Sequence, residues 1–510
     1  MKARALLAGL AGNPALPSTL VDRMISRTDD DLAGELAQRS DLEPRQVRAL
    51  ARRSGTAMLQ LAWNGLLDPV DVDPVAHPEV ALALLDQGRG PDEWAELLAG
   101  DPDPWRREKL AACPGLPASF RARLAGDPES RVVAELAIFT TDRELLTRLA
   151  EHPHAEVRAG VAANPAAPPE VLAGLIAVHW RGTGGPLPVS CAVCLLEPVP
   201  FVHDPECPRL DCDLPPGAAC DGTHESVIHS LLVRAVDNTA TPADAAAELA
   251  GHPSLHVRWQ LAARLDLPPD VAVRLAGDPN PGVRGAVAGN PALPEPMIRN
   301  LATDDSPTVR RHLASNPGVP LDLLARAARV PAGPLPRIAA ASPDEVRQLA
   351  ESRSPQLRAL VAERRDLPPE IRDRLARDPD AKVVKAVAPH PGLSEDLLRE
   401  MVTRHGVRVI VTVATNPDAS SALLVDLARH VPPVQKVFRE IARRPDAPAE
   451  ALDRCLADPQ ARPIAAAHPA LPVDRIVALI DDPDERVATA AATNPSLPVS
   501  AMERIIGRAP

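Results

Sequence analysis

An all-α fold, a solenoid of about eighteen stacked repeats, is what the sequence predicts, and three observations predict it. A proline-bearing phrase recurs at near-constant spacing, apolar residues of helical period flank it, and no stretch of comparable length shows the alternation of a strand. The phrase reads Asn13-Pro14-Ala15-Leu16-Pro17 near the start and returns at Asn290, Asn316 and Asn494. Its first position, or a degenerate equivalent, falls at 13, 39, 64, 87, 113, 138 and 164, then at 238, 264, 290, 316, 339, 364, 390, 416, 444, 468 and 494. Most steps are 25 or 26 residues. A unit that short cannot bury its apolar face alone, so neighbours must stack around a shared core.

Within one unit the elements follow in order. Asp278-Pro279 offers an N-cap and a first-turn proline, a position where the missing N–H is an orphan in any case. Val283 and Val287 then give one apolar face, and Asn290-Pro291 ends the helix because proline disfavours helical backbone at the residue before it. Pro294 opens a second helical segment with Met297, Ile298 and Leu301 as its apolar stripe. Each unit therefore reads as two short helical segments joined by tight turns. The 59 prolines would suggest disorder if scattered, but they keep phase with the apolar positions and so mark turns. Arg264-Leu265-Asp266-Leu267-Pro268 and Arg364-Arg365-Asp366-Leu367-Pro368 lose Asn-Pro yet keep the spacing.

One interruption divides the array into residues 1–180, a cysteine-rich insertion at 181–225, and residues 226–510. Five of the seven cysteines lie in the insertion, as Cys191-x2-Cys194-x12-Cys207-x4-Cys212-x7-Cys220. Two thiolates separated by two residues can reach one ion from a single loop, so Cys191 and Cys194 are the leading pair. Cys207 and Cys212 are the first choice to complete the site, with Cys220 and His203 in reserve. The glycine- and proline-rich flanks bury little apolar surface, and a metal would hold such a segment in shape. Thiolate ligation suits zinc and iron–sulfur clusters alike, and the spacing does not choose.

The Asn-Pro-x-Leu-Pro phrase, the leucine pair after it and the Asp-Pro-x-x-x-Val-Arg phrase from Asp278 to Arg284 resemble the leucine-rich repeat variant family. The resemblance covers nearly all of the chain outside about 181–225. It implies a solenoid in which α-helices alternate with 3-10 helices. It also implies a cysteine-ligated iron–sulfur cluster, of the 4Fe-4S kind, beside the repeats. In the family that segment precedes the repeats, whereas here it follows seven of them.

Lys plus Arg number 56 against 68 Asp plus Glu, a formal charge of −12, which argues against general attraction to nucleic acid or anionic lipid. Tyr is absent and Phe numbers four, so stacking platforms for single strands are missing. The run Ala5 to Ala11 leads straight into the first phrase and reads as a repeat helix, and no apolar run approaches the ~20 residues of a membrane span. A cytoplasmic chain is expected, where clustered cysteines bind metal more often than they form disulfides. Cys113 and Cys455, at repeat positions, are expected to be plain buried residues.

Arg158, Arg258, Arg284, Arg310 and Arg358 share one repeat position and form a row able to bind phosphate or acidic peptides. Pairing with the recurring Asp278 and Asp378 is the stronger expectation. The repeated asparagines read as turn architecture, and Trp180 as either core or a contact for the cysteine loop. No Walker phrase, His-Glu-x-x-His or Gly-x-Ser-x-Gly is present, so no enzyme is expected. The expected function is a scaffold that binds a protein partner along the solenoid face and carries a thiolate-bound metal centre. The alternative is an iron–sulfur redox or sensor protein acting on a docked partner, and a weaker one a nucleic-acid cradle on the arginine row.

Overall fold

The structure, a computed structural model, describes residues 2–180, 227–252, 254–327 and 335–508. Among them every regular element is a helix and none is a strand, and short helices recur in pairs from Lys2–Ala11 to Val499–Arg508. The fold is an α-solenoid. Helices of 3-10 type are confined, among the described residues, to Pro69–Asp71, Glu248–Gly251 and Gly406–Arg408. No described helix is long and apolar enough to cross a membrane. By contact the chain forms two units, one made of Met1–Val72 with Ser342–Pro510, the other of Asp73–Ala341.

The unit read above folds as the helices Pro281–Ala288 and Glu295–Leu301. The first starts two residues later than expected: Asn280 caps it, accepting from the Gly282 amide at 2.7 Å, and Pro281 occupies its first turn. Asp278 is thereby freed for a different task, described below. Val283, Val287, Leu293, Ile298 and Leu301 are buried, while Met297 is half-buried. Fully burying each such side chain is worth about 1.5–3 kcal/mol, and stacking provides that burial.

What aligns one repeat on the next is a buried side-chain ladder. Asn316 donates through Nδ2 to the carbonyl oxygens of Ala288 (2.9 Å) and Asn290 (2.7 Å) in the preceding repeat, and its Oδ1 accepts from the Gly318 amide at 2.8 Å. One side chain thus closes its own turn and ties down the turn before it. Helix C-termini leave carbonyls without partners, and these asparagines satisfy two of them per repeat. Asn238, Asn290, Asn416 and Asn494 repeat the arrangement.

Two other residue types do the same work. Arg39 reaches back through Nη1 to Ala11 O (2.7 Å) and Asn13 O (2.8 Å) while pairing with Asp41, and Arg264 does so to Val236 and Asn238 with Asp266. The degenerate Arg-x-Asp units are thus a working substitute for Asn-Pro-x. His468 is a third solution, with Nε2 against Arg444 O at 2.8 Å and Nδ1 accepting from the Ala470 amide. The unit expected at 138 turns instead at Thr140, whose oxygen receives the Asn164 bond at 2.8 Å.

In each unit the ladder crosses a break in chain continuity. In the Asp73–Ala341 unit, Asn238 bonds to Ala162 (2.9 Å) and Asn164 (2.8 Å), so the repeat after the insertion lies directly on the repeat before it. In the other unit, Asn13 donates to Ala492 O and Asn494 O, both at 2.8 Å, and the helix Lys2–Ala11 packs on Glu485–Ala492. Gly9 permits this approach, since a Cβ there would sit 2.5 Å from the Thr489 carbonyl oxygen.

Candidate interaction surface

Cys191, Cys194, Cys207, Cys212, Cys220 and His203 lie outside the described residues. Among the described residues no group of three or more His, Cys, Asp or Glu side chains is arranged to hold a metal ion. Cys113 and Cys455 are buried free thiols, and burial pushes both up to about 12, which leaves them without thiolate at neutral pH. Trp180 is core: its Nε1 donates to Glu248 O at 3.1 Å and its ring packs on His252 at 4.5 Å.

The arginine row is internal to the stack. Arg258 donates through Nη1 to His252 O in its own repeat (2.8 Å) and pairs through Nε (2.7 Å) and Nη2 (3.2 Å) with Asp278 of the next. Both side chains are 0% exposed. Arg284 with Asp304 and Arg358 with Asp378 repeat the pattern, and Arg107 with Asp127 adds a member that the sequence reading had not included. Arg310 turns to Asp304 O and Asp305 O, and Arg158 to His152 O and Pro153 O. The expected pairing with Asp278 and Asp378 is realised, but across the repeat junction rather than within one helix. The Asp304 carboxyl is held below the usual carboxylate range by its hydrogen bond from Arg284.

The solvent-facing side of the stacked helices carries the exposed apolar residues. In the Asp73–Ala341 unit the helices Pro104–Ala112, Ser130–Phe139, Ala155–Ala163, Val227–Asp237 and Leu255–Ala262 stack in that order. Trp105 and Trp259 are each 44% exposed there, and Phe139 is also exposed. Lys109 Nζ lies 5.9 Å from the Trp105 ring centroid, and His256 stands 5.8 Å from Trp259. The same unit carries an open groove of about 410 Å³ whose lining includes Gln260, Leu265 and Asp237.

In the other unit a second row stands at the position eight residues before each turn marker: Lys382, Arg408 and Lys436, in the successive repeats marked by His390, Asn416 and Arg444. All three are exposed. The sequence reading missed this row because it followed arginines at a different position. The signal was present, since three of the five lysines in the chain fall between 382 and 436.

No protein-family model matches the chain, and no curated protein matches it. Among the solved structures that align with it are two of low overall similarity. An engineered protein is 16% identical, with a TM-score of 0.13, over 99% of this chain and 87% of that one. A chain from the Pds5-Scc1 complex is 11% identical, with a TM-score of 0.14, over 99% of this chain and 72% of that one. At those scores neither likeness carries an argument, and the fold rests on the helices themselves.

Proposed function

We propose that the protein is an interaction scaffold whose partner docks on the outer side of the stacked helices of the Asp73–Ala341 unit. The carrying observation is the pair Trp105 and Trp259, two large aromatic side chains left almost half exposed, with Phe139 and Leu265 also exposed in the same unit. Interface cores are enriched in such residues, because they bring large apolar area at low entropy cost. Trp105→Ala and Trp259→Ala should leave the helical content and melting midpoint unchanged, since neither ring is core. Both should abolish retention of a protein that the wild-type chain holds from an extract of its source cells. Equal retention by wild type and both variants would remove the reading.

The cysteine spacing supports a second element of the proposal, a thiolate-bound metal centre in the insertion, with Cys191, Cys194, Cys207 and Cys212 as ligands and Cys220 and His203 in reserve. Similarity to the leucine-rich repeat variant family favours iron–sulfur over zinc. An iron–sulfur cluster would make the scaffold a redox or sensor protein for its docked partner. Anaerobic purification with iron, sulfide and zinc analysis distinguishes these: broad absorbance near ~400 nm with iron and sulfide supports the redox form, and zinc alone in a colourless protein removes it. The nucleic-acid reading loses its footing, because the arginines on which it rested are engaged within the stack.

A further inference from the structure

We infer that the row Lys382, Arg408 and Lys436 is a docking surface for a short, extended acidic segment of a partner protein. The three side chains belong to the helix Ala381–Val387, the 3-10 turn Gly406–Arg408 that leads into Ile410–Ala414, and the helix Gln435–Arg443. Each stands immediately before a buried apolar pair: Val383 and Val384, Val409 and Ile410, Val437 and Phe438. They therefore occupy equivalent places on three consecutive rungs. Two further cations share the face, three residues on: Lys385 and Arg439.

What sets these cations apart is their grouping on consecutive rungs, since arginines such as Arg48, Arg52 and Arg148, unpaired among the described residues, stand at scattered exposed positions. Neighbouring arginines of the same unit are tied to carboxylates, as in Arg399 with Glu395 and Asp426, or Arg374 with Glu351. Lys382, Lys385, Arg408 and Lys436 have no ion pair among the described residues. Arg439 bonds to the neutral Gln460 at 2.6 Å, and its buried Nε has no partner among the described residues. The nearby carboxylates are occupied or withdrawn. Glu440 pairs with Arg443, Asp380 caps the Ala381–Val387 helix, and Glu363 is half-buried, with burial raising its carboxyl against the pull of Arg365 and Lys385. The result is a concentrated positive strip on a chain of formal charge −12.

Charge and spacing select the occupant. Helices of adjacent repeats pack about 8–10 Å apart, so the row spans about 20 Å, which an extended segment of about six residues covers at ~3.3 Å per residue. An acidic side chain at about every third residue meets each rung. A long polyanion is disfavoured by the net negative field, and the face offers Val411, Thr412 and Thr415 rather than aromatic rings for base stacking. This surface lies in a different unit from Trp105 and Trp259, so it stands or falls separately from the docking face proposed above.

The test uses the full chain, a fluorescein-labelled eight-residue oligoglutamate peptide, and an oligothymidylate of equal charge, read by anisotropy at low ionic strength. The peptide is expected to bind, to release as salt rises, and to lose at least tenfold in affinity in K382E/R408E/K436E and measurably in the milder K382Q/K436Q. The charge-matched control R48E/R52E/R148E, with reversals at exposed sites elsewhere, should change affinity less than threefold. An equal loss in that control would overturn the assignment, as would no peptide binding, or tighter binding of the oligothymidylate than of the peptide.

Discussion

Asn13 donates to the main-chain oxygen of Asn494 at 2.8 Å across 481 residues of sequence, in the same geometry that joins Asn494 to His468 in the adjacent repeat. Chain ends ordinarily fray unless tied down. Here the first helix is held by an internal rung. Asn13→Ala removes two donated bonds and one accepted bond at a buried site, and should cost about 2–4 kcal/mol. Gly9→Val should open the same contact by steric means. Hydrogen exchange checks both, since the amides of Lys2–Ala11 and Glu485–Ala492 should lose protection together while those of Pro281–Ala288 keep theirs.

Arg258 and Asp278 form an ion pair with no exposure at all. Removing one partner strands the other charge in the core, so Arg258→Ala or Asp278→Ala should destabilise by about 3–5 kcal/mol, whereas R258M/D278L should recover most of that loss. Urea unfolding of the three variants measures it. Similar losses for the single and double changes would show that the pair acts through packing alone.

His390 introduces a pH dependence. Burial, reinforced by Arg365 and Arg372, depresses its imidazole to about 4. An unfolded histidine titrates near ~6.5, so between those values the unfolded chain binds the extra proton. Stability is therefore complete above about pH 6.5 and falls toward pH 4, at no more than about 1.4 kcal/mol per pH unit. Asp266 and Asp446 are lowered by hydrogen bonds from Arg264 and Arg444, and their contribution is lost only below about pH 4. His390→Asn should reduce the upper limb, leaving the share carried by His152, whose imidazole is also lowered by burial, and leave the lower limb intact, as read from urea midpoints between pH 3 and 8.

If Arg-x-Asp and Asn-Pro-x are interchangeable rungs, the exchange can be made deliberately. N290R alone places a guanidinium beside two carbonyls without its carboxylate, and should destabilise. Adding P291L and A292D, which copies Arg264-Leu265-Asp266, should restore at least half of the loss in thermal melts. A triple variant no better than N290R would mean that each rung is tuned to its own neighbours.

The period, the turn residues and the helical pairing were legible because each is written into 25 or 26 consecutive residues. Local reading also anticipated that Arg258 and Asp278 belong together. It did not show that the bond joins successive repeats, because the pattern repeats with the same period whichever copy is the partner. The contact between Asn13 and Asn494 left no trace, since stacking of distant repeats uses the same residues as stacking of neighbours. Lys382, Arg408 and Lys436 went unread for a different reason: exposed positions carry no periodic apolar signal, and lysine and arginine alternate there.

The bond from Asn238 to Asn164 spans 74 residues of sequence as though they were one ordinary step. Because the two repeats meet through this bond, the stack itself sets little constraint on the length of sequence between them; doubling a loop costs only about 0.6 kcal/mol of closure entropy. That junction is a graft point, where new chemistry can be acquired, exchanged or discarded while the supporting architecture stays as it is.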